Sequence, residues 1–167
     1  MASPPLKKAE KKIVGWREWI SIPGLHVSRI KAKLDTGART SSLHAFDLET
    51  LEIKGKQWVK FKVHPYQRND KIIRRCLAPI FDYRWVKSSS GHREKRFVIL
   101  TELHIFDDHW PIELTLTNRD EMGFRMLLGR TAMHKHLIVD SSRSYCNGKL
   151  LRKKLKKKKS LKQRISL

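Results

Sequence analysis

Apolar and polar residues alternate along several short runs of this chain, and turn-forming residues separate the runs. In the clearest run, Ile112, Leu114 and Leu116 alternate with polar residues. A period of two places apolar side chains on one face of a β-strand, whereas an amphipathic helix repeats every 3.6 residues. Many short strands at regular spacing are typical of a barrel or sandwich. The pattern therefore predicts an all-β domain.

The same patterns locate the individual elements. Pro and Gly residues end several runs, because they favour turns or break regular pairing. The apolar stretch 124–130 is stopped by Gly129, and the residues after it, 131–137, are predicted to form one short helix capped by Thr131. The other predicted strands are 13–22, 27–34, 43–48, 59–63, 72–80, 97–106, 110–117 and 138–140.

The length of 167 residues fits one domain with tails. We expect a flexible lead-in at 1–12, a domain at 13–147 and a disordered or partly helical tail at 148–167. No run is long enough to span a membrane, and the N-terminus lacks the apolar core of a signal peptide, so we expect a cytoplasmic protein. Its two cysteines are expected to be reduced.

The formal net charge is +21. Residues 149–164 supply ten Lys and Arg and no acid, which leaves +11 for the rest of the chain. Such a field attracts polyanions in a salt-dependent manner. The basic run has no interleaved aromatic residues for base stacking, so it predicts at most a non-specific contact with the ribosome or RNA.

The candidate catalytic residues are Asp35, Thr36 and Gly37, which follow directly on the predicted strand 27–34. Gly37 allows a tight turn, so the Asp35 carboxylate can be presented from a loop that has backbone N–H groups close by. Taken alone, these residues are better explained by a turn in which Asp35 has only a capping role.

An apolar strand runs into Asp-Thr-Gly at 34–38, and an apolar pair precedes a glycine at 127–130. These two patterns resemble those of single-lobe aspartic proteases of the retropepsin type. With the motifs at 14–19, 35–45, 91–94 and 113–120, the sequence resembles still more closely the bacterial family named ATP-dependent zinc proteases, over about residues 13–147. Members of that family are often encoded beside, or fused to, an ATP-grasp ligase that adds glutamates to ribosomal protein S6.

The resemblance implies a closed retropepsin-like β-barrel and a peptidase that removes such glutamates. Peptide hydrolysis needs a base for the water and an acid for the leaving nitrogen, and two carboxylates that share one proton supply both. The chain has one such loop, so we expect a homodimer in which each copy contributes Asp35. Thr36 would bond across the two-fold axis, and Gly37 would leave room for water and substrate.

Basic residues near the motifs are the candidates for binding an acidic or glutamate-extended protein substrate. Guanidinium groups bind carboxylates in a bidentate manner. For any single arginine, however, plain surface charge is the simpler interpretation. The predicted substrate-binding residues are Ala38, Arg39, Arg93, Arg96, Gly129 and Arg130, and the candidate flaps are 58–75 and 87–96.

Cofactor motifs are weak or missing in the sequence. There is no HExxH pattern among the eight histidines, and neither a GxxxxGK[ST] loop nor GxGxxG occurs, so zinc is poorly supported and no ATP site is predicted. Two alternatives to an aspartic peptidase remain. One is a non-enzymatic basic β-barrel that binds ribosomal RNA or an acidic protein, and the other is a zinc metallopeptidase.

Overall fold

The computed structural model describes residues 10–88, 90–118 and 123–148. The predicted basic tail and most of the lead-in therefore lie outside the described residues. The described residues are mostly β-strand, which confirms the predicted all-β class. The strands are β1 (Lys12–Gly15), β2 (Arg17–Ile22), β3 (Val27–Leu34), β4 (Ser41–His44), β5 (Phe46–Ile53), β6 (Lys56–Val63), β7 (Arg74–Pro79), β8 (Asp82–Lys87), β9 (Arg93–Ile105), β10 (Asp108–Thr117), β11 (Met126–Leu128) and β12 (Leu137–Asp140).

Seven strands make the main sheet, in the order β10-β4-β11-β3-β2-β9-β8. Because β9 also pairs with β10, the pairings of six of these strands run in a closed circuit, and β8 extends it from β9. The narrowest link is β2 with β9, where a single register pair joins Ser21 and His104. Strands β5, β6 and β7 form a separate antiparallel sheet.

Parallel pairings bring distant parts of the chain together at the candidate site. Strand β11 runs parallel to β3, with Leu128 opposite Leu34, and β10 runs parallel to β4. The loop between β3 and β4 therefore begins beside the end of β11. This topology places residues 35–40 next to residues 128–131.

Alternation along the strands builds the core as the sequence predicts. On β3, Ile30, Ala32 and Leu34 are at most 4% exposed. They belong to one buried cluster with Leu43, Leu116, Met126 and Leu128. Burying a Leu or Ile side chain contributes about 1.5–3 kcal/mol relative to leaving it exposed, so the strands that carry the candidate loop are firmly anchored.

Two predicted strands are each divided in the structure. The run 13–22 divides into β1 and β2 at Trp16, because β1 pairs with β12 and the Trp16 amide donates to the Arg143 carbonyl at 3.1 Å. The run 43–48 divides between β4 and β5. Strand β8 was not predicted.

The predicted helix at 131–137 is shorter and starts earlier, as α1 (Arg130–Met133). Its N-cap residue is Gly129, so the prediction that Thr131 caps it was wrong. The Thr131 hydroxyl instead donates to the carbonyl oxygen of Arg39 at 3.0 Å. A second helical turn includes residues 146–148. Among the described residues, no helix has the length and apolar character needed to cross a bilayer.

Candidate active site

Asp35 stands at the point where β3 ends and the site loop begins. Its backbone amide donates to the carbonyl oxygen of Leu128 at 2.9 Å, which continues the parallel pairing of β3 with β11 by one residue. The Ala38 amide donates back to the Asp35 carbonyl at 3.3 Å and closes the turn. The position of Asp35 is thus set by the main sheet.

The two carboxylate oxygens of Asp35 have different surroundings. Oδ1 accepts hydrogen bonds from the amides of Gly37, at 2.9 Å, and Ala38, at 3.2 Å. Oδ2 lies 3.6 Å from the ammonium group of Lys33, and the Asp35 side chain is 28% exposed. One oxygen is therefore fixed by the turn, while the other faces a cation and solvent.

The first residues of α1 hold this turn from the other side. The Arg130 guanidinium donates to the carbonyl oxygens of Thr36, at 3.0 Å, and Gly37, at 2.9 Å. The backbone amide of Arg130 donates to the carbonyl oxygen of Ala38 at 2.8 Å. The Thr131 amide and hydroxyl both donate to the carbonyl of Arg39. Most carbonyls of the loop thus have a partner contributed by residues 130–131, which restricts the loop to one conformation.

Gly129 is required by the close approach of the same loop. A β-carbon at this position would lie 2.6 Å from the carbonyl carbon and oxygen of Thr40. The Gly129 amide donates to the hydroxyl of Ser41, which is fully buried, at 3.0 Å. Ser41 is in turn held through its carbonyl by the Thr115 hydroxyl at 2.9 Å.

Thr36 and Gly37 form the exposed tip of the loop. The Thr36 hydroxyl makes no hydrogen bond with any residue among those described. A β-carbon on Gly37 would be 3.2 Å from Asp35 Oδ1, so the tip is accessible but leaves little space beside the carboxylate.

The predicted substrate-binding residues divide into two groups. Ala38, Arg39, Gly129 and Arg130 surround the Asp35 turn, although the Arg130 side chain is engaged with loop carbonyls. Arg93 and Arg96 lie on β9, where Arg93 stacks over Trp85 and Arg96 donates to Glu94. Within the described part of the chain, no hydrogen bond, ion pair or ring contact joins either of them to the Asp35 loop.

The sequence analysis missed three residues that shape the site, namely Lys33, Ser41 and Thr131. Lys33 could have been found, because in a strand that ends at Leu34 it lies on the outward face two residues before Asp35. Ser41 and Thr131 act through loop closure between distant segments, which no local pattern reveals.

One group of side chains in the described segments could hold a metal ion. The ligand atoms of Glu102, His104 and His109 lie within 4.8 Å of one another at the β9–β10 hairpin. Two imidazoles and a carboxylate suit Zn²⁺. His104 and His109 already contact Glu102, at 2.5 and 3.3 Å, so contacts of both imidazoles with this carboxylate account for the arrangement without a metal. This cluster shares no contact with the Asp35 loop among the described residues.

A family model matches residues 13–150, and its description is "Retropepsin-like aspartic endopeptidase RimB". The match covers most of the chain and includes every residue of the Asp35 turn and its clamp. The chain belongs to the RimB-like family. The resemblance seen in the sequence is thereby confirmed.

Relatives of this RimB-like chain carry a different name. Proteins named "Probable alpha-L-glutamate ligase" from Shewanella pealeana and Desulfotalea psychrophila are 49% and 48% identical over 138 and 147 residues. These matches cover 83% and 88% of this chain but only 30% and 32% of the relatives. The RimB-like chain thus spans about a third of each relative's length.

A solved structure has the same fold as the RimB-like chain. It is a protein of unknown function from Legionella pneumophila, with a TM-score of 0.69 and 25% sequence identity. The comparison covers 83% of this chain and 99% of that one.

Proposed function

We propose that this RimB-like chain is an aspartic-type peptidase that acts as a homodimer and trims glutamates from a glutamylated protein tail. The observation that carries the proposal is the presentation of Asp35 at the base of a clamped loop, where two amides fix Oδ1 while Oδ2 faces Lys33 and solvent.

The homodimer follows from the chemistry. Two Asp35 carboxylates about 3 Å apart would share one proton. The ionised carboxylate takes a proton from water, the resulting hydroxide attacks the peptide carbonyl carbon, and the protonated partner neutralises the developing oxyanion. Collapse of the tetrahedral intermediate breaks the C–N bond: the carboxyl group that took the proton from water passes it to the leaving nitrogen, and the partner carboxylate recovers its proton from a hydroxyl of the intermediate. The exposed Thr36 hydroxyl fits a bond to the second copy.

A closed barrel is the architecture that supports this arrangement best. The circuit of pairings from β10 through β4, β11, β3, β2 and β9 returns to β10. Closure removes free sheet edges among these strands and holds both ends of the Asp35 loop. We propose this closed retropepsin-like barrel as the scaffold of each copy.

Two observations support glutamate as the preferred side chain. The ammonium group of Lys33 lies 3.6 Å from Asp35 Oδ2, so a cation stands beside the reacting centre. The relatives named as glutamate ligases share about half of their aligned residues with this chain. A peptidase of this kind would reverse the addition of glutamates.

The test compares wild type with Asp35→Asn on a basic protein that carries a C-terminal run of glutamates, with product masses as the readout. We expect Asp35→Asn to lose at least about 100-fold in rate, because it removes the general acid and base. Asp47→Asn, which removes an exposed carboxylate on β5, is the matched control. Trimming by both Asp variants would disprove the proposal.

Mixing wild type with Asp35→Asn tests the homodimer separately from the role of Asp35. If each site needs two copies of Asp35, an equal amount of Asp35→Asn should reduce the activity of wild type to roughly half, because half of its chains enter inactive mixed dimers. A monomeric enzyme would keep its full activity. Sedimentation with substrate present gives the mass of the active species.

The charge of the chain favours one other candidate, a non-enzymatic module that binds ribosomal RNA or an acidic protein. The chain carries +21 in total. Neutralising Asp35 in such a module would strengthen polyanion binding slightly, and neither wild type nor the variant would hydrolyse the substrate. Binding without trimming by either wild type or Asp35→Asn would favour this candidate.

A further inference from the structure

The outward face of β2 and β3 carries a group of cations that leads to Asp35. In the antiparallel register, Arg17 is opposite Lys33 and Trp19 is opposite Lys31. These side chains alternate with buried residues on both strands, so they share the face turned away from the core. We call this surface the β2–β3 basic face, and it consists of Arg17, Trp19, Arg29, Lys31 and Lys33.

Aromatic rings hold the cations of this face in place. The Arg29 guanidinium lies 3.8 Å from the centroid of Trp19, and the Lys31 ammonium lies 5.2 Å from the same ring. Arg17 stacks over Tyr145 at 4.9 Å. Such contacts restrain long side chains before a ligand arrives, which lowers the entropic cost of binding.

Of the four cations of this face, only Lys33 has an acidic partner among the described residues, which is Asp35 at 3.6 Å. In residues 10–88, 90–118 and 123–148, no carboxylate forms an ion pair with Arg17, Arg29 or Lys31. Arg84 and Arg143, by contrast, are paired with acids. The one acid on β2, Glu18, is fully buried and accepts hydrogen bonds from backbone amides.

We propose that the β2–β3 basic face binds the acidic segment of the substrate that adjoins the scissile bond. Alternate residues of β3 are about 6.6 Å apart, and alternate side chains of an extended peptide have the same spacing. Lys33, Lys31 and Arg29 can therefore meet successive outward carboxylates of an extended glutamate run, with Lys33 nearest the reacting centre. The inference rests on the proposed function and assigns it a specificity surface.

An acidic peptide fits this surface better than RNA does. Recognition of single-stranded RNA relies on aromatic rings whose faces are free for base stacking. Here Trp19 is covered by Arg29 and Lys31 and also packs against Tyr145, at 5.9 Å between ring centroids. The cations remain available to carboxylates, whereas the indole is already occupied.

The test measures binding of a fluorescent peptide of eight glutamates by anisotropy. All proteins compared are the full chain and carry Asp35→Asn, which prevents turnover of the peptide. We expect the double variant R29Q/K31Q to bind about five- to tenfold more weakly, since it removes two exposed charge pairs. The double variant K54Q/K56Q on the exposed β5–β6 hairpin removes the same charge and should change affinity less than twofold. Equal loss in both variants would mean that only bulk charge matters and would overturn the proposal.

An RNA arm identifies the ligand class. An octamer of uridines should bind R29Q/K31Q and K54Q/K56Q equally. A selective loss of RNA binding in R29Q/K31Q, with peptide binding unchanged, would assign the face to nucleic acid instead and would also overturn the proposal.

Kinetics separate this inference from the proposed function. With Asp35 intact, R29Q/K31Q should raise KM for a glutamate-rich substrate and leave kcat within twofold, because the changed residues do not touch the reacting atoms. If Asp35→Asn still trimmed glutamates, the aspartic mechanism would fail while the binding result could stand. If R29Q/K31Q left both KM and peptide affinity unchanged, the basic face would fail while the mechanism could stand.

Discussion

The guanidinium of Arg130 lies 2.9 Å from the carbonyl oxygen of Gly37, across 93 positions of the sequence. The same group reaches the carbonyl of Thr36 at 3.0 Å. A residue that the sequence suggested as a substrate contact therefore also fixes the turn that presents Asp35. The positioning role of Arg130 can be measured separately from any contact between Arg130 and substrate.

Replacing Arg130 with methionine should lower kcat about tenfold or more, because small displacements of a catalytic group are costly in rate. The change leaves the backbone amide of residue 130 to hold Ala38, so circular dichroism should show an intact fold. Arg84→Met, which removes an arginine paired with Asp82 on β8, is the matched control. A rise in KM alone would assign Arg130 to substrate binding and contradict its positioning role.

Gly129→Ala should destabilise the fold by about 1–3 kcal/mol, because the added β-carbon would stand 2.6 Å from backbone atoms of Thr40. Gly24→Ala is the control, since its β-carbon would meet only Thr101 Oγ1 at 3.5 Å. Urea unfolding measures both variants. Equal midpoints would show that the loop moves away at little cost.

Glu18→Gln should lower the free energy of unfolding by about 1–3 kcal/mol. The buried carboxylate accepts from the amides of Gly15 and Cys146 through Oε1 and from Asn147 through Oε2. An amide side chain has one acceptor oxygen and brings an NH₂ group towards a donor. Glu49→Gln, at an exposed ion pair on β5, should have almost no effect in the same urea titration.

The thiol of Cys76 should be unreactive in the folded protein. Burial raises its pKa from 9.0 to about 11, and its Sγ donates to the Leu25 carbonyl. In Cys146→Ser, where Cys76 is the sole thiol, a disulfide reagent at pH 8 should label only unfolded chains.

The same shift predicts the pH dependence of stability. The folded state favours the protonated thiol, so this contribution is complete below the ordinary pKa of 9.0 and is lost as the pH rises towards about 11. Cys76→Ala should remove that part of the alkaline loss of stability. Rapid labelling of the native protein at pH 8 would contradict the burial of the group.

The double variant His104→Ala/His109→Ala removes two possible metal ligands. We expect its rate of glutamate trimming to stay within twofold of wild type. Both imidazoles belong to the β9–β10 hairpin and not to the Asp35 loop. A chelator should likewise leave the rate unchanged. Loss of activity in the variant, together with a loss in chelator-treated wild type that added zinc restores, would instead favour the metallopeptidase alternative.

The sequence predicted the all-β class and the strand that leads into Asp35, because both depend on local periodicity and turn residues. It could not predict that Trp16 separates two strands, since β1 and β2 differ only in the distant partners with which they pair. Strand β8 was also not predicted. Its aromatic residues Tyr83 and Trp85 are exposed, so it does not contribute a buried apolar face to the core.

At the site, Gly129 and Arg130 were predicted from a family pattern, and the structure adds the reason for their position. The structure also shows what periodicity could not reveal about Ser41, whose buried hydroxyl meets Gly129 across 88 positions. Contacts at that separation depend on how the sheet pairs, and the sequence near either residue carries no sign of them.

The parallel pairing of β3 with β11 also determines when the site can form. Asp35 lies in the first quarter of the chain, but its amide needs Leu128 and its turn needs Arg130. A growing chain cannot assemble the loop until residue 130 has left the ribosomal tunnel, and contacts so distant in sequence form slowly. The fold therefore delays assembly of the Asp35 loop until nearly all of the domain has been synthesised.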